Sequence, residues 1–131
     1  MKVTTEKVSR LLKGYHEEPR FLLHLLMDEQ QKRPVNQKAI QAIKDELLLF
    51  DLLFDAVMSL KSSYKCFIIM RYLSGEKLSL RELSEHLECD ASTLARWNRD
   101  AIKSITKFIN EKLNRKDGDN YETDCQTESF L

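Results

Sequence analysis

Three glycines and two prolines in 131 residues leave this chain few places to turn. Both residue types punctuate helices and strands, so their scarcity favours long helices joined by short links. The three cysteines, Cys66, Cys89 and Cys125, are odd in number, widely spaced and form no CxxC pair. No disulfide framework or zinc site follows from them, and a reducing, cytoplasmic setting is expected. Long apolar runs are missing too. Phe21–Met27 is broken by His24 and Leu47–Phe54 by Asp51, both far short of a membrane span. The first residues form a charged helical pattern rather than a signal peptide. There is no glycine-rich loop for phosphates and no serine or cysteine with an activating partner, while His16, His24 and His86 are dispersed. Neither enzyme chemistry nor a cofactor or metal is expected.

What is present centres on Ser79–Lys103, which reads as two helices joined by a tight turn. Ser79 is placed to cap a helix start, with Glu82 three residues on to complete a capping box. Leu80, Leu83 and Leu87 fall on one face. Glu88-Cys89 makes the turn, and Asp90 is placed to cap the next helix. That helix buries Leu94, Trp97 and Ala101 at i, i+3 and i+7. Its opposite stripe is Ser92, Arg96, Arg99 and Lys103. A short support helix followed by a helix with an arginine-bearing outer face is the layout of a helix-turn-helix unit.

The formal net charge of zero conceals a segregation. Residues 1–59 carry nine basic and nine acidic side chains, residues 60–116 twelve and seven, and residues 117–131 none and five. The +5 block coincides with the helix-turn-helix, and phosphate affinity follows local charge rather than the whole-chain sum.

The rest of the chain predicts an all-α fold. A three-helix N-terminal region, 1–60, has helices over 5–13, from Pro19 to about Gln31, and from Asn36 to about Leu60. The second is apolar around much of its circumference, which predicts a sandwiched helix. The third carries a seam of Ile40, Ile43, Leu47, Phe50, Phe54 and Val57, and a second face of Leu48, Leu49, Leu52 and Leu53. Two apolar faces suggest a homodimer. A fourth helix, capped by Ser62 or Ser63, runs to Leu73 and stops at Ser74-Gly75. It opens a helix-turn-helix domain over 61–114. Residues 115–131 lose all periodicity and read as a disordered acidic tail, a tethered competitor for the basic surface.

Tyr64 to Lys103 resembles the promoter-reading fourth region of bacterial sigma factors. It is most similar to the phage-encoded relatives known as RinA- and ArpU-type late transcription regulators. The resemblance rests on Leu60, on Arg71-Tyr72 ending a short helix, and on Leu80 through Ala101 without a gap. Core positions match at Leu83, Leu87, Cys89, Leu94, Trp97 and Ala101. The chain departs from the pattern at Glu88, where glycine is usual, at Ser84 for alanine and at Asp90 for serine.

The helix from 90 to 113 is therefore expected to read double-stranded DNA in the major groove. Arg96 and Arg99 offer guanidinium forks suited to guanine edges or phosphates. Ser92, Thr93 and Asn98 suit either role, Ala95 permits close approach, and Lys103 is placed for phosphate. The expected function is promoter recognition by a transcription regulator whose N-terminal helices pair two copies or contact RNA polymerase. A phage packaging adaptor resembling a terminase small subunit, or a module that grips polymerase or a sigma or anti-sigma partner, are the alternative readings. No membrane partner is expected.

Overall fold

In the computed structural model, which describes residues 2–76 and 78–118, every regular element is a helix. Helix α1 spans Thr5–Gly14, α2 Glu18–Gln31, α3 Gln37–Met58 and α4 Ser62–Ile68. A π-helical turn, Ile69–Leu73, continues α4; α5 spans Leu80–Leu87 and α6 Ala91–Gly118. None of the helices of the described residues is long and apolar enough to cross a membrane. The all-α expectation holds.

Local chemistry explains most of the boundaries. The Thr4 hydroxyl accepts the Lys7 amide at 3.1 Å and starts α1. The Asn36 side chain does the same for Ala39 at 3.1 Å and starts α3. Each cap satisfies an amide that has no partner within its own helix. Pro19 sits in the first turn of α2, where its missing N–H costs nothing. Gly75, at φ 90°, ends the π turn as the Ser74-Gly75 pair predicts. The positive φ is what favours glycine there; a Cβ would also lie 2.8 Å from the ring of exposed His16, which could swing aside. The start of α4 differs from expectation: Lys61 is the capping residue, with no side-chain hydrogen bond, and Ser62 and Ser63 are exposed.

Helix α6 is the post for every other helix but α2. Its 28 residues span about 42 Å, and it packs against α1, α3, α4 and α5. Leu94, Ala101, Ile102, Ile105, Ile109 and Leu113 are buried along it at helical spacing. The Thr106 hydroxyl, buried among them, donates to the Ile102 carbonyl at 2.7 Å, so no polar group is stranded. The helix continues to Gly118, past the boundary predicted after residue 114. No proline or glycine intervenes, and a basic side chain such as Arg115 suits the negative end of a helix. The predicted acidic tail otherwise lies outside the described residues.

The two predicted regions share one core. A single buried cluster runs from Val3 and Leu11 through Leu53 and Phe67 to Leu94 and Leu113. Two hydrogen bonds clamp the chain start to α6: the Val3 amide donates to Asn110 Oδ1 at 2.8 Å, and Asn110 Nδ2 donates to the Val3 carbonyl at 3.0 Å. An ion pair of 2.6 Å between Lys7 and Glu46 joins α1 to α3.

Two expectations about apolar faces are corrected. Helix α2 is not sandwiched. It packs on α3 through half-buried Leu22, Leu25 and Leu26 and has no buried residue, leaving Phe21 62% and Met27 59% exposed. The α3 seam is also only partly internal. Phe54 is 44% exposed, while Leu49, Phe50, Leu53, Ala56 and Val57 are the buried set. Helix α3 touches α1, α2, α4 and α6, so its second face meets the chain itself. Leu48 and Leu52 lie half-buried against that core, so the chain's own helices cover this face in part.

Candidate nucleic-acid interface

Helix α5 starts as the sequence predicts. The Ser79 side chain accepts the Glu82 amide at 3.1 Å, and the Glu82 carboxylate accepts the Ser79 amide at 2.8 Å. The Ser79 amide, then the Ser79 side chain, hold the Glu82 carboxyl below the usual carboxylate range, against a smaller opposing effect of desolvation. The folded chain thus binds this proton more weakly than the unfolded chain. The contribution of the cap is complete above the unfolded carboxyl's pKa and is lost as pH falls through the lower folded value. Acid titration of wild type beside Glu82→Gln should show the stability difference shrinking with falling pH. A difference that stays constant through the acid range would mean the carboxylate has no part in the cap.

The turn is three residues, Glu88 to Asp90. Glu88 adopts φ 54°, ψ 43°, the left-handed conformation that ends many helices. Glycine would adopt this conformation without a Cβ penalty. A side chain with a Cβ is strained there by about 1–2 kcal/mol. Glu88→Gly should therefore raise stability by up to about 1 kcal/mol, part of the relief being offset by glycine's greater freedom when unfolded. Chemical denaturation measures this, and a loss of stability would mean the Glu88 side chain contributes something beyond its backbone. Ser84 holds the turn from the other side: its hydroxyl donates to the Cys89 carbonyl, and its own carbonyl accepts the Cys89 amide at 3.2 Å. Alanine at this position would lack the hydroxyl bond.

Helix α6 follows at once, with the Asp90 carbonyl accepting the Leu94 amide at 3.0 Å. Leu83, Leu94 and Ala101 are fully buried between the two helices and the rest of the core, and Leu87 and Cys89 are half-buried against it. Trp97 packs inward as expected. Its ring lies 5.6 Å from Tyr64 and 6.3 Å from Phe67, the latter edge-on, with part of the indole still in solvent. The opposite row, Ser92, Arg96, Arg99 and Lys103, is exposed, while Thr93 and Ala95 are half-buried at its edge.

Two features of this face are not readable from its own sequence. Asn98 is already engaged, accepting a 2.8 Å hydrogen bond from the Tyr72 hydroxyl. Burial raises the Tyr72 pKa, opposed by nearby Arg71 and the Asn98 bond, so the phenol stays a donor. Asn98 is thus a tie between the π turn and α6, and is less available to a base than Ser92 or Arg96. The second feature is a wall. Thr5, Glu6 and Ser9 of α1 stand across a shallow groove of about 430 Å³ from Ala95, Arg99 and Lys103. No pattern local to residues 79–103 signals this neighbour, which comes from the far end of the chain. Arg96 and Ser92 are outside the groove, toward the open start of the helix.

The arrangement presents two guanidinium groups and one ammonium on one exposed helical row. Arginine forks match the geometry of guanine edges and phosphate oxygens, and a lysine ammonium suits phosphate as a point charge. Among the described residues no cluster of histidine, cysteine or carboxylate side chains could hold a metal ion. By fold and site this is an all-α protein carrying a helix-turn-helix pair built into a shared core. Comparison with known protein families, characterised proteins and solved structures finds no match to this chain.

Proposed function

We propose that this chain is a sequence-specific DNA-binding transcription regulator whose α6 enters the major groove of duplex DNA. The observation that carries the reading is the exposed row of Ser92, Arg96, Arg99 and Lys103, set immediately after a capped support helix and a left-handed turn. Its place within a +5 segment supports the same reading, as does the resemblance to sigma region 4. Thr93 and Ala95 flank the base-reading positions, and Lys103, about three turns from the helix start, serves phosphate. Promoter DNA is the proposed ligand and RNA polymerase the proposed partner of the complex.

The test is binding to random-sequence duplex across a salt series, followed by selection of preferred sites. Neutralising about three or four phosphates gives log Kd against log salt a slope of about 3 to 4. Selection should then recover a motif. Failure to bind duplex at low salt would reject the reading and leave a protein-binding role for the same face. A ring of many copies in solution would instead favour the packaging adaptor.

A further inference from the structure

The outer face of α2 has no use in the DNA reading and no cover among the described residues. Its half-buried stripe, Leu22, Leu25, Leu26 and Glu29, lies toward α3. The opposite stripe, Arg20, Phe21, His24, Met27 and Asp28, is exposed throughout. At about 100° per residue, Arg20 and Asp28 fall about 40° to either side of His24, and Phe21 and Met27 about 60°. Large apolar side chains on one stripe, bracketed by charge, mark an interaction face rather than scattered surface hydrophobics.

We propose that α2 pairs antiparallel with α2 of a second copy of this chain, about a two-fold axis at His24. The pattern of the stripe supports this occupant over any other because it is complementary to its own reverse. With the axis at His24, Arg20 and Phe21 share a layer with Met27 and Asp28 of the partner subunit. Symmetry repeats that layer on the other side of the axis. Each layer then holds two apolar side chains and one pair of opposite charges, which an isologous contact requires.

The helix ends agree. Glu17 and Glu18 stand at the start of α2, and Lys32 and Arg33 follow its last turn. Asp51 and Asp55 of α3 line a groove with Pro19 and exposed Phe54 at the same acidic end. A parallel pair would set acid on acid and base on base. The antiparallel pair brings Lys32 and Arg33 of the partner subunit toward the acidic groove and opposes the two helix dipoles. The exposed Phe54 extends the apolar area at both ends of the contact. This pairing stands independently of the DNA reading, since no residue of it lies on α5 or α6.

Charge reversal tests it in the absence of DNA. Sedimentation of the full chain at tens of micromolar in 0.1 M salt should give a dimer. Arg20→Asp and Asp28→Arg should each weaken it about tenfold or more, because symmetry makes one substitution act in two layers. Both residues are exposed, so helix content should stay unchanged by circular dichroism. Equimolar Arg20→Asp and Asp28→Arg chains should form a heterodimer, since acid then meets base in both layers. The double variant carrying both changes should recover the homodimer to within a few-fold of wild type. A monomeric wild type would overturn the proposal and point to a different protein as occupant. So would a dimer that neither single reversal weakens, or single variants that do not pair with each other. Should a single variant fail to fold, the double variant decides alone: its dimerising as wild type does supports the pairing, and its remaining monomeric overturns it.

Discussion

Phe67→Ala should destabilise this protein by about 3–5 kcal/mol, the largest loss expected of any single truncation in its core. Phe67 is fully buried. It sits on α4, which packs against both α3 and α6, and its ring meets the Trp97 indole edge-on at 6.3 Å. Removing it deletes apolar contact and leaves a void where α4 meets α3 and α6. The Trp97 ring that meets it is itself packed against Tyr64, so collapse into the void is limited. A domain of this size is stable by roughly 5–15 kcal/mol, so the loss is about a fifth of the whole or more. Denaturant unfolding with an unchanged slope and a lower midpoint is the expected record. Trp97→Ala should cost less, because part of its indole already meets solvent. If the order of the two is reversed, the junction of α4 and α6 is organised around Trp97 instead.

The comparison of those two aromatics shows what a sequence displays and what it withholds. Helix caps at Asn36 and at Ser79 with Glu82 were legible because a cap is settled within four residues. The inward set of the helix-turn-helix, Leu83, Leu94 and Ala101, was legible for the same reason: period and burial agree on a two-sided helix. Helix α2 was not, since a helix apolar on most sides gives no clue to which side meets the core. Its true neighbour, α3, is itself apolar on two faces, and only packing decides which apolar residues remain outside. The Val3–Asn110 clamp, the Tyr72–Asn98 tie and the α1 wall beside Arg99 all join residues far apart in the chain. Local spacing carries no trace of such contacts. Glu88 lies between these cases: the sequence marks a turn there, and the structure adds that the turn is left-handed.

The α1 wall sharpens the expectation for DNA. Arg96→Ala should weaken binding to the preferred site by about 1–3 kcal/mol, roughly fivefold to 150-fold, if its fork reads a base edge. Arg99→Ala should have an effect of the same order on the selected site, with relaxed preference at the position it contacts. Lys103→Ala should instead weaken all duplexes alike and lower the salt slope by about 1, as expected for a phosphate contact. Glu6 stands across the groove from Arg99 and Lys103, and its negative charge opposes an approaching phosphate. Glu6→Gln should therefore tighten non-specific binding about twofold at low salt, with the gain fading as salt shortens the reach of the charge. The four variants separate two geometries. An effect of Glu6 together with Lys103 places the duplex across the α1 side of α6; an effect of Arg96 without Glu6 places it at the open, N-terminal end. If Arg96→Ala and Arg99→Ala both bind the selected site as tightly as wild type, the reading surface is not this row of α6.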